Sequence, residues 1–361
     1  MEHNKTYICF FNSHKPWGGG EKWHSEIASY LFSKNHNVIV CGNPHGALLQ
    51  SIDSKIPQYT ITLRNLSFLN PFKYVACYRM FKKYRVKTVI LCLPIDVKVA
   101  GIAAKLAGVQ NIVYRRGCAI PIKNSFTNRF LFSHIITHII ANSEATKHSI
   151  TAYNSNLFPL DKITVLYNGI PQCNIDKKYD TGNKLYITIG TAGRLEPQKN
   201  MNAVLTIAQE VLKNTTNFVI RIAGDGSLYQ TLKQAIQDKR LQSHIELVGF
   251  QNNINDFYAT LDIFILTSHG EGFGYVMAEA MRYSIPVIAY NVSSSQELIT
   301  DNYNGFLIPK DDTIQFAQKI VYLIENEQER QKMGANAREF VQSHFDAQNI
   351  FEKTEAFITQ L

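Results

Sequence analysis

Short apolar, β-branched runs alternate with longer segments of helical periodicity along the whole chain, a pattern typical of parallel sheets covered by helices. In the first half the pattern predicts strands at residues 7–11, 38–41, 88–91, 112–114, 138–141 and 163–166. Apolar stripes between them predict helices over residues 21–33, 97–106 and 144–152. The fold class is therefore α/β with a doubly wound sheet.

The same alternation restarts in the second half. It predicts strands at residues 185–189, 219–223, 245–248, 263–266, 287–289 and 306–308, and helices that begin near Asn200, Ser227, Asn253, Gly274 and Asp312. A polar segment without apolar periodicity, residues 168–183, predicts a linker. We therefore expect a Rossmann-like domain at residues 1–170, a second at residues 171–344, and a C-terminal helix at residues 345–361 that can pack back onto the first domain. Ligands of such sheets bind outside the carboxyl ends of the strands, which we expect to face each other across a cleft.

Charge and composition narrow the class of protein. The 361 residues are too many for one hydrophobic core, and no apolar run approaches the roughly 20 residues of a spanning helix. The start of the chain lacks a signal-peptide pattern, and the six cysteines form no C-x-x-C pair, so we expect a reducing, cytoplasmic location. Residues 1–180 carry 22 basic and 9 acidic side chains, whereas residues 181–361 carry 15 and 20. The first domain is thus the basic one.

One segment combines two carboxylates with several glycines directly after a predicted strand. Residues 268–280 carry Glu271 and Glu279 eight positions apart. At about 1.5 Å per helical residue their separation approaches about 12 Å, which suits one carboxylate on a sugar and the other on a ribose, with a diphosphate between them. Glycines let the backbone approach a ligand, and amides at a helix start favour anions. The alternative is a surface Glu271 in a glycine turn and a solvated Glu279.

Two basic residues follow the first strand of the second domain. Residues 193–200 place Arg194 and Lys199 at the carboxyl end of that strand. Arginine offers a planar fork and lysine a mobile charge, so together they can stabilise the negative charge that grows on a departing nucleoside diphosphate. Taken alone, two such cations also fit a solvated loop.

Together with residues 222–226, 248–250, 286–289 and 304–307, these motifs make the second domain resemble retaining glycosyltransferases of family 4, which have the GT-B architecture of two facing Rossmann-like domains. The resemblance implies that Glu271 contacts the donor sugar, Glu279 the ribose, and Arg194 with Lys199 the diphosphate. Glu271, Arg194 and Lys199 would then carry the catalysis. It further implies donor contacts from Gly193, Gly249, Phe250, Gln251, Phe273, Gly274 and Tyr275.

The first domain resembles the family through a glycine run after its first strand. Gly18, Gly19 and Gly20 stand where family members carry a loop near the donor phosphates and the acceptor, so the resemblance implies donor contacts from Gly19 and Gly20. The alternative is a permissive turn before a helix.

The first domain also departs from the family. Many members place a histidine after the strand that corresponds to residues 111–114, whereas this chain has Arg115 and Arg116. These arginines predict contact with an anionic group of the acceptor or donor, and His14 is a further candidate for the acceptor. The alternative for all three is a solvated polar loop.

The sequence carries no Asp-x-Asp motif at a strand end, so we expect neither a metal site nor a separate cofactor. Arg194, Lys199 and helix amides would take the place of a divalent ion. The resemblance implies a retaining, front-face transfer in which the leaving phosphate helps to accept the proton of the acceptor. The base, the sugar and the linkage stay open.

Residues 65–87 interleave aromatic and apolar side chains with Lys73, Arg79, Lys82, Lys83, Arg85 and Lys87. A basic, aromatic-rich helix favours binding to an anionic membrane surface, where each basic residue contributes about 1 kcal/mol. The alternative is an ordinary helix with a charged outer face. No nucleic-acid motif accompanies the charge, so we expect no nucleic-acid partner.

The sequence thus predicts a cytoplasmic, metal-independent, retaining hexosyltransferase, peripheral on the inner face of the membrane. Its acceptor would be a membrane-associated glycan, such as lipopolysaccharide core or a lipid-linked surface polysaccharide. A nucleotide-sugar epimerase of the same fold and a non-catalytic sugar-nucleotide-binding protein are the alternatives. An oxidoreductase is disfavoured, because no G-x-G-x-x-G follows the first strand of either domain.

Overall fold

The computed structural model describes residues 5–172 and 186–361 and divides the chain into two units. The N-terminal unit is formed by Met1–Asn168 together with Gln348–Leu361, and the C-terminal unit by Gly169–Ala347. Most of the linker predicted at residues 168–183 lies outside the described residues, as does the start of the strand predicted at residue 185.

The N-terminal unit is built on a parallel sheet whose strand order is β3-β2-β1-β4-β5-β6-β7. Its strands are β1 (Tyr7–Asn12), β2 (Val38–Gly42), β3 (Gln58–Thr60), β4 (Val86–Leu91), β5 (Asn111–Arg116), β6 (His138–Ala141) and β7 (Ile163–Val165). Six of the seven confirm the sequence prediction. The edge strand β3 was not predicted, because its three residues, Gln-Tyr-Thr, do not form an apolar run.

Helices cover both faces of this sheet. They are α1 (Gly19–Ser33), α2 (Ala47–Ser51), α3 (Pro71–Lys83), α4 (Pro94–Asp96), α5 (Ile102–Leu106), α6 (Phe126–Phe130) and α7 (Glu144–Thr151), with π-helical turns at Val97–Gly101 and Leu131–Ile135 and 3₁₀ turns at Ser67–Leu69 and Leu160–Lys162. The predicted stripe of α1, Trp23, Ile27 and Leu31, is fully buried against one face. The predicted basic helix at residues 65–87 is shorter than expected, because Pro71 opens α3 after a separate 3₁₀ turn.

The C-terminal unit repeats the architecture with the strand order β10-β9-β8-β11-β12-β13. Its strands are β8 (Ile187–Ala192), β9 (Phe218–Ala223), β10 (Ile245–Gly249), β11 (Ile263–Leu266), β12 (Val287–Tyr290) and β13 (Gly305–Ile308), and every pair is parallel. Its helices are α8 (Met201–Val211), α9 (Tyr229–Asp238), α10 (Ile254–Ala259), α11 (Tyr275–Met281), α12 (Ser295–Leu298), α13 (Thr313–Glu325) and α14 (Glu327–His344), with a 3₁₀ turn at Pro197–Lys199. The two parallel sheets confirm the doubly wound α/β prediction.

The last helix, α15 (Ala347–Gln360), packs on the N-terminal unit. Ile358 is buried in the same core as Trp23, and Glu355 accepts hydrogen bonds from Tyr30 (3.1 Å) and His36 (2.7 Å). No helix within residues 5–172 and 186–361 is long and apolar enough to cross a bilayer.

Candidate functional site

The strand order reverses between β8 and β11 in the C-terminal unit, and ligands of doubly wound sheets bind at such a switch point. Strand β8 ends at Ala192 and β11 at Leu266, so the loops that follow them start side by side. The predicted motif at residues 193–200 lies in the first of these loops, and the motif at residues 268–280 spans the second loop and most of α11. The fold thus brings together the two segments that sequence reasoning selected.

Lys199 and Glu271, one from each loop, form an ion pair. Lys199 Nζ lies 2.7 Å from Glu271 Oε1, and the two side chains are 15% and 10% exposed. The loops are joined again where Gln198 Nε2 donates to the carbonyl of Gly270 (2.7 Å) and the backbone carbonyl of Gln198 accepts from the amide of His269 (2.9 Å). The ion pair is therefore held on two mutually braced loops.

Close backbone packing explains the glycines beside this pair. Gly193 has φ +149°, and a Cβ there would lie 2.9 Å from Lys199 Cε. Gly224 has φ +140°, and a Cβ there would lie 1.9 Å from the carbonyl oxygen of Gly193. These positions need glycine both for conformation and for space, and the missing side chain at Gly193 leaves room for Lys199.

The second carboxylate of the motif is buried. Glu279 lies on α11, is 8% exposed, and accepts a hydrogen bond from Tyr258 Oη at 3.0 Å. Burial, with the adjacent carboxylate, raises the pKa of Tyr258 well above its usual range, so the phenol remains a neutral donor. A solvated Glu279 is thereby ruled out.

The separation predicted between Glu271 and Glu279 does not apply. The separation of about 12 Å assumed a helix throughout residues 271–279, but α11 begins at Tyr275, so Glu271 lies in the preceding loop. Within that loop the carbonyl of Glu271 accepts from Ser294 Oγ (3.3 Å), and Gly274 has φ +87°. The loop geometry, rather than a helical rise, sets where Glu271 lies.

Phe273 and Arg194, which were also predicted to contact the donor, differ in how far they are exposed. Phe273 is 2% exposed and packs edge-on against Tyr275 and Phe345, with ring centroids 5.7 and 5.2 Å away. Phe273 is thus a core residue whose side chain fixes the loop. Arg194 is exposed and forms no ion pair with any residue of the described ranges, which leaves its guanidinium available to an anion.

Gly249 ends β10, two strands away from β8 in the sheet, and Phe250 and Gln251 follow it. Gly249 has φ +69°, Phe250 is 65% exposed, and Gln251 Nε2 donates to the carbonyl of Val248 (2.7 Å). Their contact with the donor stays a prediction.

In the N-terminal unit, the glycine run opens α1 at the switch point between β1 and β4. Gly19 and Gly20 are the first residues of that helix, and a Cβ on Gly20 would lie 3.0 Å from Cys92 Sγ. Glu21 is 3% exposed and accepts from Asn12 Nδ2 (2.8 Å) and pairs with His14 Nδ1 (3.1 Å). Burial opposes ionisation of Glu21, yet the His14 and Asn12 contacts outweigh it and lower the pKa of the carboxyl. His14 is therefore a partner of Glu21, and an acceptor contact for it stays a prediction.

Arg115 and Arg116 are not solvated loop residues, since β5 runs through both and buries them to 2% and 7% exposure. Arg115 donates to Asn168 Oδ1 (2.8 Å) and lies over the Trp23 ring at 4.9 Å. Arg116 donates to Tyr114 Oη (3.4 Å) and to the carbonyl of Ile120. Alternation along the strand sends the two side chains to opposite faces of the sheet.

Asp96 was missed by sequence reasoning. It is fully buried beside β4, and its carboxylate binds Ser13 Oγ and the amides of Ser13 (3.4 Å) and Leu93 (3.0 Å), which joins the loops after β1 and β4. Burial raises the pKa of Asp96 to about 7, although the hydrogen bonds oppose this rise. An isolated Asp between apolar residues gives no sequence signal for such a role.

Two parallel sheets of this strand order, with charged loops at a switch point, place the chain in the class of doubly wound α/β proteins, whose ligands bind at such points. Within that class, the family model Glycosyltransferase Family 4 matches residues 17–172, and the model Glycosyl transferases group 1 matches residues 175–340. The chain belongs to the glycosyltransferase family that these two domains define.

Curated relatives agree with this family. The capsular polysaccharide biosynthesis glycosyltransferase CapM of Staphylococcus aureus is 30% identical over 61% of this chain and 60% of its own length. The Escherichia coli UDP-Gal:alpha-D-GlcNAc-diphosphoundecaprenol alpha-1,3-galactosyltransferase is 26% identical over 90% of this chain and 89% of its own. The chain spans 60% of the length of CapM and of a Methanocaldococcus jannaschii relative, and 43% of a third relative.

Among solved structures, Anabaena Alr3699/HepE in complex with UDP and glucose matches with a TM-score of 0.83 and 22% identity, covering 99% of this chain and 100% of that one. This likeness shows the fold, which is GT-B, as the sequence predicted.

Proposed function

We propose that the protein is a retaining, metal-independent glycosyltransferase that moves a hexosyl unit from a nucleotide diphosphate sugar to a membrane-associated glycan. The observation that carries this proposal is the Lys199–Glu271 ion pair at the β8/β11 switch point, with Arg194 exposed on the same loop. Lys199 and Arg194 would neutralise the diphosphate as the glycosidic bond breaks, and Glu271 would hold Lys199 and contact the sugar.

Glu279 would hold the ribose. Its carboxylate accepts a hydrogen bond from Tyr258, which orients it, and a carboxylate has about four acceptor positions with which it can also bind sugar hydroxyls. A buried carboxylate oriented in this way loses little entropy on binding, so we expect it to affect donor affinity more than turnover.

The acceptor class is supported by relatives and by the surface of the N-terminal unit. CapM acts in capsular polysaccharide biosynthesis by its name, and the E. coli galactosyltransferase uses a diphosphoundecaprenol-linked sugar. These names favour a lipid-linked or surface glycan as the acceptor, and with it a site of action at the cytoplasmic face of a membrane.

The segment that begins at Leu66 would provide the membrane contact. Leu66, Leu69 and Phe72 are 70%, 69% and 80% exposed, and the basic residues Lys82 and Lys83 close the helix α3 that follows. An exposed apolar cluster at the start of a helix that carries lysines suits the interface of an anionic bilayer. The total charge of the chain, +8, acts in the same direction.

The donor is tested by thermal unfolding with UDP, GDP and ADP, each with and without EDTA, followed by transfer assays with the matching sugar nucleotides. We expect one nucleotide to stabilise the protein regardless of EDTA, and NMR of the product to show the anomeric configuration of the donor. Inverted product would contradict the retaining mechanism, EDTA sensitivity would contradict metal independence, and epimerised donor without acceptor would indicate an epimerase.

Membrane contact is tested by liposome flotation with and without anionic lipid. We expect Leu69→Ser with Phe72→Ser to lower recovery on anionic liposomes. The matched control is Tyr153→Ser with Leu160→Ser, which removes side chains of the same unit that are 64% and 57% exposed but lie outside this segment. Equal recovery of both double variants would contradict the assignment.

A further inference from the structure

A small cavity in the N-terminal unit combines basic and apolar side chains. Its volume is about 140 Å³, roughly the share of four to five waters in the liquid. Its lining includes the basic Lys98, Arg116 and Lys123 and the apolar Val97, Leu131 and Phe132.

The three cations of this cavity are not neutralised by acidic side chains. Among residues 5–172 and 186–361, no carboxylate forms an ion pair with Lys98, Arg116 or Lys123. Arg116 is only 7% exposed, and a guanidinium removed from water is costly unless an anion or a full set of acceptors compensates it. An anionic ligand in the cavity would supply that compensation.

Arg116 also retains unused donors. A guanidinium has five N–H groups, and within the described chain Arg116 donates to Tyr114 Oη and the carbonyl of Ile120, while its Nε is buried with no partner there. Tyr114 lines the same cavity, and burial raises its pKa to about 12, so it stays protonated and can donate as well. Arg115, whose Nε is likewise buried without a partner in the described chain, does not line this cavity; it lies over the Trp23 ring and donates to Asn168.

We propose that this cavity binds a phosphate or diphosphate esterified to an apolar chain, as the head group of the acceptor, an assignment that rests on the proposed function. The volume suits one head group, since whole-ligand sites measure about 300–1,000 Å³. The apolar lining suits the first carbons of the chain. Lys98 also contacts the segment that begins at Leu66, proposed above to bind the membrane, because its Nζ lies 5.4 Å from the centre of the Phe68 ring.

The test measures binding of geranyl diphosphate, inorganic pyrophosphate and geraniol by calorimetry, in saturating nucleoside diphosphate so that the donor site is filled. We expect geranyl diphosphate to bind more tightly than pyrophosphate and geraniol not to bind. Arg116→Gln should weaken geranyl diphosphate by about tenfold or more, the cost of losing a charge-assisted contact. Lys98→Gln with Lys123→Gln should weaken it similarly and does not disturb a buried residue of the sheet.

The matched control is Lys87→Gln with Lys105→Gln, which removes two exposed cations of the same unit that do not line the cavity. Equal loss in the control and the Lys98/Lys123 variant would overturn the site in favour of general electrostatic attraction. Equal affinity for pyrophosphate and geranyl diphosphate would overturn the apolar part of the ligand. Nucleotide binding reports on the proposed function separately: if no nucleotide binds while Arg116→Gln still weakens geranyl diphosphate, the proposed function fails and the cavity stands.

Discussion

Replacement of Gly193 by alanine tests whether the backbone at the end of β8 makes room for Lys199. The glycine has φ +149°, which L side chains rarely adopt, and the added methyl carbon would lie 2.9 Å from Lys199 Cε and 3.4 Å from its Nζ. Since a lysine side chain is flexible, we expect it to move aside rather than the sheet to break. Lys199 would then lose its 2.7 Å contact with Glu271.

Gly193→Ala should lower both the stability of the protein and its affinity for the nucleotide. Backbone strain at such a φ costs about 1–3 kcal/mol of unfolding free energy. A displaced Lys199 loses a charge-assisted contact with the diphosphate of about 1.5–3 kcal/mol, which corresponds to roughly 10- to 150-fold in nucleotide affinity. Gly224→Ala should behave differently, because its methyl would lie 1.9 Å from a backbone oxygen that no rotamer change can move. We expect that variant to fold poorly.

Urea unfolding and nucleotide titration measure the two effects. The matched control is Gly108→Ala in the other unit, since Gly108 has φ +77° and, beyond its chain neighbours, no described residue lies within 4 Å of an added methyl. It should lose stability to a similar extent with nucleotide affinity unchanged. If Gly193→Ala keeps its affinity within about twofold while its stability falls, the link between this glycine and Lys199 is refuted.

Further substitutions test the neighbouring contacts. Tyr258→Phe should lower the unfolding free energy, measured in urea, by about 1.5–3 kcal/mol, because Glu279 loses a buried hydrogen bond. The same variant should bind the nucleotide more weakly. Unchanged nucleotide binding would contradict the ribose role of Glu279. Glu271→Gln should lower the transfer rate and the unfolding free energy, since Lys199 is left largely buried without its partner; a wild-type rate would exclude Glu271 from the site. Asp96 holds its proton more tightly in the folded protein, with a pKa of about 7 against 3.8, so its contribution to stability falls as pH rises from about 4 to about 7, by at most about 4 kcal/mol. Asp96→Asn should flatten this part of the stability profile, measured by unfolding at about pH 5 and about pH 8, and a parallel profile would contradict the assigned burial.

The sequence predicted the architecture well because both sheets are parallel and buried on both faces, which produces continuous apolar strands separated by helical stripes. It located the strands of both units apart from β3, an edge strand with one half-buried residue between two exposed ones. The helix predicted at residues 144–152 is α7, and Ser143 caps it, because Ser143 Oγ accepts from the amide of Thr146 at 3.0 Å.

Within the site, the motifs around Lys199 and Glu271 were predictable because each directly follows an apolar strand. Their mutual ion pair was not, since residues 72 positions apart show no pattern that relates them. The burial of Arg115 and Arg116 was not predicted for a related reason. Two consecutive arginines are typical of the end of a strand, whereas here β5 continues through both. Arg116 lines a cavity, and Arg115 lies over the Trp23 ring. Burial of charge depends on tertiary partners, and these are far away along the chain.

The central claim, a donor diphosphate at Lys199, is tested most directly by the rate of sugar transfer from the matching nucleotide sugar, compared between Lys199→Gln and Lys213→Gln. Both variants remove a lysine charge that is paired with a glutamate in the C-terminal unit, but Lys213 is 65% exposed on the surface. We predict that Lys199→Gln loses about 1.5–3 kcal/mol of transition-state stabilisation, a rate lower by roughly 10- to 150-fold. Lys213→Gln should retain the rate of the unmodified protein. Equal rates in the two variants would contradict a donor diphosphate at Lys199.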